Sequence, residues 1–243
     1  LELWKKALGI IPGGNGLLSK RPERYAPDIW PTYYDNAKGC KVTDLDGRTY
    51  IDMAQMGIGT AILGYSDDDV NSYVIESINK GVNTTLNTAE EPKLAELLLD
   101  IDQFAGGVKF ARGGGEALQI AIRIARAYTK KEKILFSGYH GWHDWFITTT
   151  DLNSGIPKFN NQLAHSFEYN NISSLEKIFK KHKNKIAIVI MEPITVLEPK
   201  CYGPINCKSL ACKKFCLKSL ISKLSYLTIP QCLNFGPNSN QFE

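Results

Sequence analysis

Long apolar segments are absent from this chain of 243 residues. No apolar run approaches the roughly 20 residues that a helix needs to span a bilayer, so we expect no membrane association. The first residue is leucine, and no basic, apolar and small-residue pattern of a secretion signal follows it. We therefore expect a cytoplasmic protein whose chain begins inside a longer reading frame. Its 43% hydrophobic and 22% charged residues are typical of a soluble globular protein.

The usual motifs of nucleotide and metal sites are also missing. Three consecutive glycines at 113–115 lack the third glycine of a dinucleotide fingerprint and the lysine and hydroxyl residue of a P-loop. The aspartates around Gly47 lack the spacing of a calcium-binding EF-hand. His140 and His143 have Asp144 beside them but follow a predicted strand, with no helical frame to hold a metal. We therefore predict ring packing and hydrogen bonding for the histidines, and no bound metal.

A strand, a glycine loop and a helix form the most informative pattern in the chain. Residues 108–111 predict a strand, the glycines at 113–115 follow, and residues 116–128 predict a helix. The helical spacing predicts one apolar stripe: Ala117, Ile120, Ala121, Ile124, Ala125 and Tyr128. Glycines let a ligand approach the backbone, and the N–H groups of a first helical turn favour an anion such as phosphate. A tight turn without a ligand is the alternative for this loop taken alone.

Two further predicted strands, at 133–136 and 185–191, end in functional residues. Tyr139 follows the first and Glu192 follows the second. In an open parallel sheet, ligands lie beyond the carboxyl ends of the strands. The glycine loop, an aromatic face and a carboxylate are therefore expected at one edge of the sheet. A flat heteroaromatic phosphate ester would use all three.

The rest of the chain predicts helices, a hairpin and loops. The hairpin is expected at 39–53 around Asp46-Gly47. We predict an irregular segment at 1–35, helices at 67–80, 90–101 and 172–182, and a polar loop at 150–166. The lysines of the last helix are interpreted as a solvated face, so no nucleic-acid partner is expected.

Together these motifs resemble the pyridoxal 5'-phosphate (PLP) core of class III aminotransferases, and in particular the glutamate-1-semialdehyde aminomutase-like group. Family members carry a small-Gly-Thr-Glu-Ala loop, which corresponds to residues 113–117 here. They carry Tyr-His-Gly, which corresponds to 139–141, and Glu-Pro, which corresponds to 192–193. An amino-terminal arm and the hairpin also match, so the resemblance covers about residues 10–193.

The resemblance implies an α/β protein with the fold type I of PLP-dependent transferases. It implies an amino-terminal arm and hairpin segment at 1–55, and an incomplete parallel-sheet large domain at 56–193. The residues it assigns to PLP are Gly113, Gly114, Gly115, Tyr139, His140 and Glu192, and those near the substrate are Gly57 and Ile58. Family members are homodimers that move an amino group from a small amino donor to a carbonyl acceptor, or within one substrate. A hydroxyl residue is common at position 115, so this chain loses one side-chain bond to the phosphate.

Residues 194–243 differ in character from the rest. They hold five of the six cysteines, six Lys and Arg, and only two Asp and Glu. The cysteines include no CxxC pair, and their odd number disfavours a closed disulfide set. We expect an aberrant tail outside the fold, caused by a reading-frame shift or a decayed gene end after residue 193. A small zinc or disulfide module is the alternative.

The sequence lacks two catalytic motifs that the family carries after its Glu-Pro strand. These are an Asp-Glu-Val segment, whose acid pairs with the pyridine nitrogen, and a lysine followed by glycines, which holds PLP as a Schiff base. We therefore predict no catalytic residue in this chain, and interpret it as a fragment of an aminotransferase or aminomutase. The first alternative is an inactive remnant that binds the phosphate of PLP or a homologous partner. The second is a binding module for a different phosphate ester.

Overall fold

The computed structural model describes residues 2–54, 56–57, 59–101 and 105–192. The chain divides into two compact units, Leu1–Asn87 and Thr88–Glu243. The domain boundaries predicted at residues 55 and 193 stay predictions, and the predicted tail lies outside the described residues. No helix in the described ranges is long and apolar enough to cross a membrane.

The first unit contains two helices and a small antiparallel sheet. Its elements are α1 (Glu2–Ile10), β1 (Tyr34–Lys38), β2 (Lys41–Asp44), β3 (Thr49–Ile51) and α2 (Asp68–Lys80). The irregular structure predicted for residues 1–35 is wrong at α1, which precedes the Pro12-Gly13-Gly14 turn. Trp4 and Ala7 on one face of α1 are buried, and the Trp4 indole Nε1 donates to Glu23 Oε1 at 3.1 Å. Burial of this face stabilises a helix that the turn residues nearby had obscured.

The hairpin predicted around Asp46-Gly47 is confirmed, because β2 and β3 pair in antiparallel fashion across that turn. The Asp44 carboxylate accepts hydrogen bonds from the Asp46 and Arg48 backbone N–H groups, both at 2.9 Å. It also accepts one from the Tyr50 hydroxyl at 3.0 Å. These bonds, first of all that from Arg48, hold the pKa of Asp44 below its usual value. The carboxylate therefore organises the turn.

A second carboxylate ties the segment after the hairpin to it. Tyr65 exchanges backbone hydrogen bonds with Gly39, at 2.9 and 2.8 Å, and its hydroxyl donates to Asp52 Oδ2 at 2.6 Å. This hydrogen bond, with burial, raises the pKa of Tyr65 to about 12. Tyr65 is therefore tied to the hairpin at Gly39 and at Asp52.

The second unit is built on a three-stranded parallel sheet with helices on both faces. Its elements are α3 (Glu90–Ile101), α4 (Gly114–Thr129), β4 (Lys133–Ser137), α5 (Asp144–Ile147), β5 (Ala164–Ser166), α6 (Ile172–Lys181) and β6 (Ile186–Met191). The strand order is β5-β4-β6. The predicted parallel α/β architecture is therefore confirmed. So are the helices expected at 67–80, 90–101, 116–128 and 172–182, to within two residues at each end.

One strand prediction and one loop prediction in this unit are wrong. Residues 108–111 lie in no strand, because the sheet of the described residues offers them no hydrogen-bonding partner. The polar loop expected at 150–166 contains β5, which pairs with β4 from Ile134↔Ala164 to Phe136↔Ser166. Three residues are too short for a period of two to show in the sequence.

The central strand β4 is buried on both faces. Ile134 and Phe136 enter one apolar cluster with α4 and α5, whereas Leu135 enters another with α6. In β6, Ile188 belongs to the first cluster and Ile186 to the second, although residues two positions apart in a strand ordinarily face the same side of the sheet. The pairing with β4 shifts register by one residue between them, which changes the face that a side chain occupies. Complete burial of a side chain such as Ile134 contributes about 1.5–3 kcal/mol.

The apolar stripe predicted for α4 is only partly correct. Ile122 and Ala125 are buried and Leu118 packs beside them, whereas Ala117 is exposed and Tyr128 is 54% exposed. Apolar residues surround most of this helix, so its period cannot decide which of two neighbouring stripes faces the sheet.

Helices α2 and α3 contain no buried residue in this structure. Apolar side chains such as Val74 on α2 and Leu97 on α3 are exposed on their surfaces. Contiguous exposed apolar surface favours association between molecules.

We predict that the chain of 243 residues is poorly soluble and binds the dye ANS in its folded state. The variants Val74→Lys and Leu97→Lys are expected to lower dye fluorescence and aggregation in light scattering, because each places a charge on exposed apolar surface. Ile134→Lys is the control and is expected to unfold the chain, because Ile134 is fully buried. A wild-type protein that elutes as one small species without dye binding would contradict this prediction.

Two histidines stack at the outer edge of the sheet. The rings of His165 and His182 lie 4.3 Å apart at 12°, and Lys133 Nζ is 3.3 Å from His165 Nε2. Burial lowers the pKa of His165, and the charges of His182 and Lys133 lower it further. Burial also lowers the pKa of His182, with smaller effects from Lys133, Lys181 and Lys185. The folded state therefore favours a neutral pair.

We predict that the chain loses stability as the pH falls below about 6.5, the ordinary pKa of histidine. There the unfolded chain binds protons that the folded pair resists, so the free energy of unfolding decreases towards and through the lowered pKa values. Urea denaturation at pH 7.5 and 5.5 measures the effect. The variant His182→Gln is expected to flatten this decline, and an identical decline in both proteins would contradict the assignment.

Candidate functional site

The glycine loop ends at the first turn of α4. Gly113 is the N-cap in an extended conformation, and the helix begins at Gly114. Glu116 Oε2 reaches back and accepts a hydrogen bond from the Arg112 N–H at 2.9 Å. The Ala117 N–H donates to the Gly113 carbonyl at 3.0 Å. The preceding N–H groups of the first turn have no acceptor within the helix, so they can bind an anion.

The space around the three glycines differs from one to the next. A Cβ atom at Gly113 or Gly114 would meet no atom within 4 Å. A Cβ atom at Gly115 would lie 2.5 Å from Cδ2 and 2.6 Å from Nε2 of His143. One at Gly141 would lie 3.7 Å from the Gly115 Cα. The loop after β4 therefore packs against Gly115 and leaves open space beside Gly113 and Gly114.

Tyr139 and Glu192 lie at one edge of the sheet. Ser137 at the end of β4 pairs with Met191 at the end of β6, and the two strands are parallel. Tyr139 follows Ser137 by two residues, and the exposed Glu192 follows Met191 directly. The structure therefore brings a phenol and a carboxylate to the same end of neighbouring strands.

Tyr139 and His140 point in different directions although they are adjacent. The Tyr139 side chain is 69% exposed, and its ring meets Phe146 at 5.5 Å and 87°. His140 is buried, and its Nε2 lies 2.9 Å from the Ser137 carbonyl oxygen, which can only accept, so Nε2–H donates. Its ring lies nearly parallel to that of Trp145, 6.0 Å away. The ring packing predicted for His140 is confirmed, and this packing holds the loop that presents Tyr139.

Of the two predicted substrate residues, the structure describes Gly57. Gly57 belongs to the first unit and lies in a turn with φ +58°, and Ile58 lies outside the described residues. A cavity of about 520 Å³ lies at the stacked histidines, where Ser166, Lys181 and His182 line it, and none of the predicted cofactor residues does so. No group of three potential metal-binding side chains occurs in the part of the chain that the structure describes.

Sequence reasoning missed the contact between His143 and Gly115. The predicted site region included His143, but no rule of spacing relates it to a residue 28 positions earlier. A glycine at a position where the related family commonly has a hydroxyl residue was the one available signal.

Comparison with known proteins identifies the family. The sequence model of the family "Aminotransferase class-III" matches residues 24–196. A 3-aminobutyryl-CoA aminotransferase from Cloacimonas acidaminovorans (strain Evry) is 35% identical over 195 residues, which cover 80% of this chain and 46% of the relative. A glutamate-1-semialdehyde 2,1-aminomutase from Caldicellulosiruptor saccharolyticus is 38% identical over 201 residues, which cover 79% and 46%. The chain thus spans about half the length of the curated relatives it matches.

Solved structures agree on the fold. The FumI protein of Sphingopyxis sp. MTA144, determined in a PLP form, superposes with a TM-score of 0.77 at 24% sequence identity. The superposition covers 93% of this chain and 53% of that protein. The predicted family and fold are therefore confirmed: the chain belongs to the class III aminotransferases and has the α/β fold of PLP-dependent transferases of fold type I.

Proposed function

We propose that the second unit binds PLP, and that the chain is a fragment of an aminotransferase or aminomutase, which transfers an amino group to or within a small carbonyl substrate. One observation carries the proposal: the loop after β4 packs directly on Gly115 in the first turn of α4. This contact supports an arrangement in which an anion site and the exposed ring of Tyr139 lie beside each other. A heteroaromatic phosphate ester has these two features.

The glycines fit the phosphate group of PLP. The first-turn N–H groups of α4 are donors with a positive helix dipole behind them. A Cβ atom at Gly113 or Gly114 would meet open space, which is room for phosphate oxygens to approach the backbone. Glu116 does not compete with the phosphate for these donors, because its carboxylate is bonded to the Arg112 N–H. Gly113, Gly114 and Gly115 are therefore proposed to hold the phosphate.

The loop after β4 and the end of β6 fit the ring. Tyr139 is proposed to stack on the pyridine, because the ring is exposed while Phe146 supports its edge. His140 is proposed to support this loop, and Glu192 to lie near the ring or the substrate. When bound, PLP supplies the carbonyl that takes up an amino group and a ring that withdraws electrons.

The remaining assignments rest on the family. The relatives include both an aminotransferase and an aminomutase, so we propose a small amino donor with a carbonyl acceptor, or one substrate that is both. Gly57 and Ile58 are proposed to line the substrate site, and the protein is proposed to be a cytoplasmic homodimer.

A second candidate function is cofactor binding without catalysis. It is favoured by one observation: the sequence contains neither an Asp-Glu-Val segment nor a lysine followed by several glycines. Without that lysine the chain holds PLP only through the contacts described above.

Covalent attachment distinguishes the two candidates. The chain is incubated with PLP and then reduced with borohydride. We predict no site-specific increase in the mass of the chain, because it lacks the expected lysine. Intact-mass and peptide spectrometry measure this, with a complete class III enzyme as the positive control. Attachment at one lysine, together with conversion of an amino donor, would instead support catalysis by this chain.

Stacking on Tyr139 is tested by PLP titration. The variant Tyr139→Ala is expected to weaken binding about 2- to 10-fold, since an aromatic pair contributes about 0.5–1.5 kcal/mol, whereas Tyr139→Phe retains it. Tyr73→Ala is the matched control, because Tyr73 is 72% exposed but lies in the first unit on α2. Equal losses in Tyr139→Ala and Tyr73→Ala, or none in either, would contradict the assignment.

A further inference from the structure

The imidazole of His143 lies where a side chain at position 115 would begin. A Cβ atom at Gly115 would approach Nε2 to 2.6 Å, far inside any real contact of such an atom. We propose that His143 donates a hydrogen bond to the phosphate of PLP, and replaces the hydroxyl residue that the family commonly carries at this position. The inference rests on the proposed function, because it names a further residue of that phosphate site.

Steric exclusion relates Gly115 to His143. Gly115 follows the first helical residue of α4, in the turn whose N–H groups have no acceptor within the helix. A side chain at this position and the His143 ring cannot occupy the same space. The absence of a side chain at 115 is therefore the condition under which His143 reaches the start of α4.

The backbone of His143 is anchored by α5. His143 is the N-cap of α5, and its carbonyl accepts hydrogen bonds from Phe146 at 2.9 Å and Ile147 at 3.0 Å. Trp145 and Phe146 are buried in the apolar cluster beneath β4. The backbone that carries His143 is thus fixed by the core, and its ring rests at 5.0 Å and 39° against that of Trp142.

The imidazole of His143 is available to a ligand. The His143 imidazole forms no hydrogen bond with the residues that the structure describes, in contrast to that of His140, which bonds to Ser137. The edge that faces Gly115 carries Nε2, so the ring in its Nε2–H tautomer presents a nitrogen donor to the first turn of α4. An N–H donor bound to a phosphate oxygen forms a charge-assisted hydrogen bond, as a serine or threonine hydroxyl does.

The test compares PLP with pyridoxal, which has the same ring and no phosphate. Dissociation constants are measured by titration calorimetry on the chain of 243 residues. The variant His143→Ala is expected to weaken PLP binding about 10- to 100-fold, the range for a hydrogen bond to a charged group, and to leave pyridoxal binding unchanged. His182→Ala is the matched control, because His182 is also a partly buried histidine of the second unit but lines the separate cavity.

A compensating substitution keeps the test independent of any damage to the fold. The variant Gly115→Ser is expected to clash with His143, whereas Gly115→Ser combined with His143→Ala opens the space and supplies a hydroxyl. The double variant is expected to bind PLP within about threefold of the wild type and more tightly than His143→Ala. Circular dichroism of each variant checks that the helices are retained.

Each outcome decides one claim. A wild type that prefers PLP to pyridoxal, together with a loss in His143→Ala and recovery in the double variant, supports the role of His143. If the wild type prefers PLP to pyridoxal and the His143→Ala variant keeps the same preference, the inference is overturned and the proposed function stands. A wild type that binds PLP no better than pyridoxal overturns the phosphate site itself, and the role of His143 falls with it.

Discussion

Close packing at Gly115, where a glycine of α4 meets the imidazole of His143, is the constraint on which the candidate site depends. Because no side chain stands at Gly115, the loop after β4 comes within van der Waals distance of the first helical turn. A side chain there would have to displace the imidazole of His143, which the loop carries. The proposed anion site and the loop that carries Tyr139 therefore meet at a residue without a side chain.

The buried centre of the sheet supplies the rigidity that this contact needs. β4 is covered on both faces, and both neighbouring strands run parallel to it. The carboxyl ends of β4 and β6 are therefore held in a fixed arrangement. His140 continues this core beyond the strand, while the adjacent Tyr139 faces outwards. Because the buried His140 holds this loop in place, the exposed ring of Tyr139 loses little conformational entropy when a ligand binds.

Glu116 and the glycines have separate roles at the start of α4. Glu116 accepts a hydrogen bond from the residue before the N-cap, so its charge stabilises the helix N-terminus from the side of the preceding chain. The glycines leave the other N–H groups accessible. An acidic residue beside a phosphate site is thus compatible with anion binding, because its carboxylate is already engaged.

The sequence by itself determined the helices at 67–80, 90–101 and 172–182, the Asp46-Gly47 hairpin and the strands before Tyr139 and Glu192, because caps, turn residues and apolar periods are local signals. It also determined the family, through short motifs that match residue by residue. Only the tertiary structure decided which face of α4 is buried, that β5 joins the sheet and that 108–111 do not. These depend on neighbours distant in sequence. The approach of His143 to Gly115 was decided in the same way, since a contact across 28 residues exists only once α4, β4 and α5 have packed together.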